Sequence, residues 1–458
     1  MAPKFNSQKK YFSSMLNDRS AFTISYIGQI LFGYTGGWTA PMFSKLQDPE
    51  QFPHPPNDLQ ANWLVAITFL GSFVGAVILS RLSNVLGRKP CLVIGGVSIT
   101  LSYLGKALIK NIAALLTFRF ILGVGIATVF SVNLVYIGEI ASTEIRGKLL
   151  GSFIIFNSMG FLLVYVVGGF ASYEAVNYFA MALGLVYLCG LFFAPESPIY
   201  HLIKGREEEA RVALMALKRK EDAEKISEMK AQIEKNKNTL EWRTLFMVKC
   251  NRKALIITTL LFVFQQTSGI GVMRTYTTTI FEIADSAITP HIATIIIGVV
   301  QVLSGFITPL FVESCGRKLL LLLSTGLASL SLMILAIYFY LYDNGVHFVA
   351  DIKWLPLVMC IIYFICFTSG FGVIPGTLVG EMFEMDVRNS GTAIVFSFSW
   401  LSSVVSVTTF GYIITNAGIF VAFCIFSIVC ALAFVFTIFF VPETKGKSLL
   451  DVQKMLNK

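Results

Sequence analysis

Charged residues are scarce in this 458-residue sequence, at 14%, whereas a soluble protein of this size carries roughly 25%. Hydrophobic residues make up 55% of the chain, and the mean hydropathy is +0.71. The N-glycosylation acceptor N-x-[ST] does not occur, and neither does the Walker A pattern that binds ATP. The missing Walker A pattern argues against an ATP-driven protein. The scarcity of charge and the high hydropathy indicate a protein that lies in a lipid bilayer.

Cysteine and histidine are few, at eight and four residues. None of the cysteines falls in a predicted outer loop, so we expect no disulfide framework. The cysteines and histidines show no metal-ligand spacing, and the chain has no nucleophile–base pattern and no cofactor fingerprint. The sequence therefore predicts a protein that is not an enzyme and that holds neither a metal nor a cofactor.

Apolar stretches of about 20 residues, each long enough to cross a bilayer core of about 30 Å, recur along the chain. Lipid offers no partners for backbone N–H and C=O groups, so each stretch must be a helix. The first 20 residues are polar and carry no cleavable signal pattern. We predict twelve spans, numbered 1 to 12, at 21–43, 60–80, 91–110, 112–133, 149–169, 175–194, 254–281, 291–312, 319–341, 354–380, 391–414 and 418–441.

Basic residues set the orientation, because they concentrate in cytoplasmic loops. With the N-terminus inside, 30 of the 36 lysines and arginines lie on the cytoplasmic side. Arg119 and Arg274 fall within predicted spans. The bias predicts that both termini are cytoplasmic. It also accounts for the net charge of +9 without any nucleic-acid partner.

Short charged motifs occur twice, half a chain apart. The pairs are LGRK (86–89) with CGRK (315–318), Glu139 and Arg146 with Glu381 and Arg388, and PESP (195–198) with PET (442–444). Matched charges between hydrophobic spans indicate two related bundles with a substrate path at their interface. We therefore predict a six-helix bundle at 1–198, a charged cytoplasmic helical linker at 199–253 and a second six-helix bundle at 254–458.

Six segments together resemble the sugar porter family of the major facilitator superfamily over nearly the whole chain. They are RFILGVG (119–125), YIGEIASTEIRG (136–147), PESPIYHLIKGREEEA (195–210), QQTSGI (265–270), GEMF (380–383) and PETKGKSL (442–449). Within the family, GWTAPMFSKLQ (37–47) and Gln301 are most similar to insect facilitated trehalose transporters. The resemblance implies an all-α membrane protein with twelve helices in two pseudo-symmetric bundles.

The resemblance also implies a gate at the cytoplasmic rim. In the family, charges there form ion-pair networks across the two bundles when the carrier opens outward. The alternative is that they only anchor helix ends. The residues at the matching positions are Arg88, Glu139, Arg146, Glu196, Glu313, Arg317, Glu381, Arg388 and Glu443.

Candidate substrate-binding residues lie in spans 1, 7, 8, 10 and 11. Spans 1, 4, 7 and 10 are rich in Gly and Pro, which membrane helices tolerate where irregular backbone lines a cavity. A sugar needs neutral groups that both donate and accept hydrogen bonds, and an amide does both. Gln265, Gln266 and Gln301 supply amides. Trp400 supplies a flat apolar face, and the resemblance places Phe367 and Tyr276 beside it.

Several positions in the expected pocket depart from the family pattern. Gly271, Gly376 and Ser399 stand where the family usually has larger or more strongly hydrogen-bonding side chains, so a wider site could admit a disaccharide. Span 7 carries Arg274, and a charge in the membrane is a functional candidate. Arg274 could bind the substrate, pair with Glu282 or extend outward to the interface.

Energy coupling is inferred from a missing carboxylate. Proton-driven relatives carry Asp in the stretch FGYD of span 1, whereas this chain reads FGYT, with Thr35 at that place in the substrate path. No other Asp or Glu falls in the middle of a predicted span, and a proton relay needs such a group. The sequence therefore predicts passive transport.

The favoured function is facilitative uniport of a neutral sugar, a hexose or a trehalose-like disaccharide, by a monomer in the lipid of the plasma membrane. One alternative is a carrier of an organic anion or another small solute that uses Arg274. Another is a non-transporting sugar sensor, although such sensors often have long cytoplasmic extensions and this sequence ends at Lys458.

Overall fold

The computed structural model describes residues 18–217, 219, 226–227, 229–231, 241–447 and 449–457. Every regular element in this part of the chain is a helix. Eleven of the described helices are long and apolar enough to cross a membrane, and they coincide with predicted spans 2 to 12. Span 1 is a 20-residue helix, which completes the twelve.

Spans 1 to 6 form the first half of the molecule. Span 1 ends at Gly37, and a short helix, Thr39–Gln47, follows it after one residue. The helices of spans 1 to 6 are Asp18–Gly37, Asp58–Leu86, Arg88–Leu108, Ile112–Ile140, Thr143–Phe170 and Tyr173–Phe193.

Spans 7 to 12 form the second half. Span 7 consists of Lys249–Gln265, a π-helical segment at Gln266–Ile270, and the short helices Gly271–Thr275 and Thr277–Ile283. Span 10 is divided in the same way into Leu355–Cys366, Phe367–Phe371 and Ile374–Met382. Spans 8, 9, 11 and 12 are the helices Pro290–Cys315, Arg317–Asp343, Met385–Asn416 and Ile419–Phe440.

Spans 7 and 10 break where the sequence places glycine and proline. Gly269 has a φ of +90°, a left-handed conformation that glycine adopts without steric cost. Pro375 stands in the first turn of Ile374–Met382, where its missing N–H is tolerated. The irregular backbone predicted for these two spans is therefore present.

The two halves have separate cores and touch along two helix pairs. One cluster of buried residues is drawn from 21–217, and the other from 245–456 with Val65 of span 2 added. Span 11 packs along span 2, and span 8 packs along span 5. These two contacts hold the halves side by side and leave a cavity between them.

Short helices lie between and after the halves. The described parts of the predicted linker include Pro198–Ile203, Glu207–Ala216 and Glu241–Met247. Residues 218, 220–225, 228 and 232–240 of that linker lie outside the described residues. The helix Leu449–Asn457 packs against the first helix of span 7 and the last helix of span 10.

Candidate functional site

A cavity of about 120 Å³ lies between the two halves. Polar and aromatic side chains share its wall, a composition typical of small-molecule sites. It is lined by Phe32, Thr35, Gly36, Thr68, Phe69, Ser72, Arg119, Ile126, Phe161, Gln266, Ile270, Gly271, Arg274, Thr275, Trp400 and Ser403.

Gln266 presents its amide to this cavity from the break in span 7. Its Nε2 donates to Oγ of Ser399 at 3.1 Å, and its Oε1 accepts from Oγ of Ser403 at 2.9 Å. Both serines belong to span 11, so two bonds fix the amide plane. Each amide atom retains hydrogen-bonding capacity for a further partner. The arrangement suits a ligand hydroxyl, which donates and accepts at once.

Trp400 supplies an apolar surface beside the amide. Its ring centroid lies 6.1 Å from that of Phe32, 6.4 Å from that of Phe69 and 6.4 Å from that of Phe130. These three phenylalanines come from spans 1, 2 and 4 of the first half, whereas Trp400 belongs to the second. The aromatic surface therefore crosses the boundary between the halves and offers C–H groups of a ligand a flat face.

Thr35 lies in the cavity wall at the position of the missing carboxylate. Its Oγ1 is 2.9 Å from the hydroxyl of Tyr103, a buried residue of span 3. Neither group is ionic. This part of the wall therefore holds a neutral hydroxyl pair.

Arg274 lies in the cavity wall, and its binding of the substrate stays a prediction. Its Nε donates to Oε1 of Gln301 at 3.1 Å. Its guanidinium carbon is 4.6 Å from the ring of Phe161 in span 5 and 5.7 Å from the ring of Phe367 in span 10. Glu282 is exposed on the same span. In the structure the side chain of Arg274 therefore contacts an amide and two aromatic rings instead of Glu282.

Four predicted site residues lie behind the cavity wall in this structure. Gln265 is turned away, because its Nε2 donates to the carbonyl of Phe371 at 2.6 Å. Gln301 is fully buried behind Arg274. Tyr276 packs against the rings of Phe43 and Phe410, and Phe367 packs against Tyr363.

The prediction missed several wall residues, chiefly Arg119, Phe32, Phe69, Phe161 and Ser403. Arg119 carried a signal, since it is a charge within an apolar span. The aromatic residues carried none, because phenylalanine is frequent in this chain, at 40 of its 458 residues.

The first copy of the rim motifs forms a compact charged network. Arg88 donates to both carboxylate oxygens of Glu139, at 2.8 and 2.9 Å. Glu196 accepts from the backbone N–H groups of Arg88 and Lys89 at 3.0 and 3.2 Å. Ser197 donates to Glu139. The motifs of spans 3 and 4 and of the segment after span 6 thus meet at one place.

The second copy repeats this geometry. Arg317 donates to Glu381 at 2.7 Å, Glu443 accepts from the backbone N–H groups of Arg317 and Lys318 at 3.1 Å, and Thr444 donates to Glu381 at 2.5 Å. The matching bonds are made by residues that the sequence motifs paired. The two halves are therefore related in structure as well as in sequence.

Glycine is required between spans 2 and 3 and again between spans 8 and 9. Gly87 and Gly316 have φ values of +111° and +85°, in the left-handed region. A Cβ on Gly87 would also lie 2.5 Å from Oε2 of Glu196. These glycines allow the carboxylate of each half to approach the first turn of the next span.

The remaining rim charges bond to backbone of their own half. Arg146 donates to the carbonyl of Ala141 at 3.4 Å, and Arg388 donates to the carbonyl of Phe383 at 3.2 Å. The side chain of Glu313 lies outside the described residues. The rim bonds described here each join residues of one half, whereas the family resemblance implies networks across the bundles for the outward-open state.

The two ends of the cavity differ. We call the end where the charged motifs lie the rim end. At the opposite end, the short helices of span 7 lie against span 1 and against Thr39–Gln47, and Tyr276 packs on Phe43. At the rim end, a Cβ on Gly138, Gly376 or Gly380 would meet no neighbouring atom within 4 Å. Contacts between the halves therefore close the end opposite the rim, and these three glycines face open space at the rim end.

Sequence comparison finds relatives over almost the whole chain. The profile described as "Sugar (and other) transporter" matches residues 21–456. The chain is 32% identical over 442 residues to the "Facilitated trehalose transporter Tret1" of Culex quinquefasciatus, covering 95% of this chain and 85% of that protein. It is 33% identical over 444 residues to the protein of that name in Drosophila yakuba, of which it spans only 51%.

Solved structures share the fold. The "inward open conformation of the xylose transporter XylE from E. coli" superposes with a TM-score of 0.79 at 23% identity, covering 96% of this chain and 99% of that one. The "proton:xylose symporter XylE bound to 6-bromo-6-deoxy-D-glucose" gives 0.77 at 24% identity, with the same coverage. The likeness establishes the major facilitator fold for this chain.

Proposed function

Because the chain belongs to the family of sugar and other transporters, we propose that it carries a neutral sugar across a membrane by facilitated diffusion. The substrate is a hexose or a trehalose-like disaccharide. The single observation that supports this best is the juxtaposition of the Gln266 amide with the Trp400 ring in a cavity between the halves.

Transport proceeds by alternating access, in which the two halves rock about the cavity. The present structure is one end state, closed opposite the rim and open at it. In the other state the rim carboxylates and arginines face each other across the boundary. Exposed or half-exposed ion pairs contribute only about 0–1 kcal/mol each, so such contacts can break in every cycle.

The carrier works as a uniporter. Among the described residues that line the cavity, none is Asp or Glu, and Thr35 occupies the place that a proton-coupled carrier fills with a carboxylate. Without a titratable acid in the path, the carrier has no group that binds and releases a proton along with the substrate. The direction of transport is then set by the sugar gradient alone.

The molecule is organised as the bundles 1–198 and 254–458 with the linker 199–253 between them. We place it in the plasma membrane as a monomer with the rim end and both termini in the cytoplasm. The support is the concentration of lysine and arginine on the rim side of the spans.

Uptake into proteoliposomes tests the proposal. Purified protein should take up radiolabelled glucose, fructose or trehalose saturably until the internal and external concentrations are equal. The matched control is the Trp400→Ala variant, which loses the aromatic face while retaining the Gln266 bonds to span 11. Equal uptake by protein-free liposomes and by liposomes containing the protein, for all three sugars, would refute the function.

A further inference from the structure

Two guanidinium groups face the same cavity. Arg119 donates through Nη2 to Oγ1 of Thr39 at 3.0 Å and through Nε to the carbonyl of Leu64, while its buried Nη1 has no hydrogen-bond partner. Among the described residues, the side chain of Arg274 makes one hydrogen bond, from Nε to Gln301. Arginine cannot be deprotonated in proteins, so the wall carries two positive charges.

A third basic side chain lies behind this wall. Lys106 is fully buried, and its Nζ has no hydrogen-bond partner. Its Nζ is 3.8 Å from the ring centroid of Tyr103 and 4.0 Å from that of Trp38. The guanidinium carbon of Arg119 lies 4.9 Å from the same Trp38 ring. Trp38 therefore contacts both basic side chains.

Carboxylates are absent around these three basic side chains in the described part of the chain. In the part of the chain that the structure describes, no Asp or Glu oxygen lies within 4.0 Å of a nitrogen of Lys106, Arg119 or Arg274, whereas Arg88 and Arg317 at the rim each have such a partner at 2.7–2.8 Å. Burying an unpaired charge is costly, and aromatic faces offset only part of that cost. An anionic ligand in the cavity would offset the charges of Arg119 and Arg274.

We infer that the cavity binds one anionic group, which accepts hydrogen bonds from the guanidinium of Arg274 and is attracted by the positive charge of Arg119. The volume of about 120 Å³ accommodates a halide ion or a carboxylate group. The inference rests on the proposed function, because it concerns the same cavity. The anionic group is either an inorganic ion that binds together with a neutral sugar or the carboxylate of a sugar acid that is itself carried.

Tryptophan fluorescence tests binding directly, because Trp400 lines the cavity and Trp38 contacts Arg119. Purified protein is titrated with sodium chloride and with sodium glucuronate, at an ionic strength held constant with a bulky sulfonate. We expect a saturable change with at least one of them. Arg274→Gln should weaken it by about tenfold, because a charge-assisted hydrogen bond is lost.

Two further variants control this measurement. Arg274→Lys keeps the charge and should keep most of the response, which separates loss of charge from misfolding. Lys110→Gln removes a positive charge outside the cavity, where Lys110 pairs with Glu174 at 2.5 Å on a partly exposed surface. It should respond like the wild type. An equal loss of response in Lys110→Gln would assign the effect to surface potential and overturn the inference.

Equilibrium exchange of radiolabelled glucose and trehalose in proteoliposomes distinguishes the two sources. Slower exchange when sulfonate replaces chloride identifies an inorganic anion, and competition and uptake of labelled glucuronate identify a substrate carboxylate. Sugar exchange with no fluorescence response and no effect of either anion would refute the anion site and leave the proposed function intact. A saturable response without exchange of any sugar would support the site and remove the sugar function.

Discussion

The guanidinium of Arg274 lies 4.6 Å from the ring of Phe161, across the boundary between the two halves. The hydroxyl of Tyr165, one turn further along span 5, donates to the carbonyl of the same arginine at 2.8 Å. A buried cation–π contact contributes about 0.5–2 kcal/mol, so these contacts help to hold the end opposite the rim closed. Arg274 therefore belongs both to the cavity wall and to the closed end.

Transport should be independent of a proton gradient, because Thr35 and the rest of the described cavity wall offer no carboxylate. Proteoliposomes with an acidic exterior should reach the same final internal sugar concentration as liposomes without a pH difference. Accumulation above the external concentration, abolished by a protonophore, would contradict the uniport mechanism.

Gln266→Ala should weaken sugar binding by about 1–3 kcal/mol, roughly five- to 150-fold in Kd, since a buried hydrogen bond is lost. The variant should still fold, because its amide bonds only to Ser399 and Ser403. Binding is measured by calorimetry or by competition for uptake.

The neighbouring Gln265 provides the control for Gln266→Ala. Its amide faces the carbonyl of Phe371 instead of the cavity, so Gln265→Ala should lower thermal stability with a smaller effect on affinity. Normal affinity in a folded Gln266→Ala variant would remove this amide from the site.

Replacing Glu381 or Arg388 by Ala should change turnover more than substrate affinity. Glu381 holds Arg317 and Thr444 at the rim, far from the cavity wall, and the two end states differ by only a few kcal/mol. The ratio of the equilibrium exchange rate to the net uptake rate should therefore differ from that of the wild type. Glu174→Ala, at the opposite end of the molecule, should leave both unchanged. Wild-type exchange rates in both rim variants would leave these charges as anchors of helix ends.

Arg274→Gln should reduce uptake of a neutral sugar only modestly, by roughly threefold or less, which corresponds to less than one hydrogen bond. Glutamine still donates and accepts hydrogen bonds, and Gln266 and Trp400 remain in place. Initial rates are compared at equal amounts of inserted protein. Complete loss of uptake, with inhibition of the wild type by carboxylates and not by sugars, would instead favour the organic-anion carrier.

Glu443→Gln should destabilise the protein at neutral pH and have less effect in acid. Burial raises the pKa of this carboxyl, but backbone N–H groups that donate to it, those of Lys445 and Arg317 among them, outweigh burial and lower the pKa below its ordinary value. Folding therefore stabilises the ionised form of the Glu443 carboxyl relative to the protonated form. Its stabilisation is present above the unfolded pKa of about 4.3 and is lost as the pH falls through the folded value.

Thermal unfolding in detergent checks this pH dependence. The wild type should have a Tm a few degrees above that of Glu443→Gln at pH 7, and the difference should shrink below about pH 4. A difference in Tm that stays constant from pH 7 to pH 3.5 would show that the carboxylate charge is not the cause.

The helices could be predicted from the sequence because lipid offers no hydrogen-bond partners to the backbone, so each long apolar span must be a helix. Each of the twelve spans was located, and Gly269 and Pro375 marked the breaks of spans 7 and 10. Span 1 was predicted to run to residue 43, but its helix ends at Gly37 and helical structure resumes, after Trp38, at Thr39–Gln47. A Cβ on Gly37 would lie 2.8 Å from Phe161 and Val164, so a close approach of span 5 requires glycine there.

The direction in which each side chain points could not be predicted in the same way. Gln265 and Gln266 are adjacent amides in one motif, yet one faces span 10 and the other faces the cavity. Adjacent residues of a helix point about 100° apart, and the hydrophobic pattern of this polar motif does not indicate which of the two faces the cavity. Likewise, nothing in the sequence indicated that Gln301 would be covered by Arg274.

The carboxylates of Glu196 and Glu443 have a mechanical consequence. Each one fastens the chain that leaves the sixth helix of its half to the first turn of the third helix. The half then behaves as a closed frame, in which displacement of one member is transmitted to the others. A small movement of helices at the cavity wall can therefore cause a larger displacement of their ends at the rim.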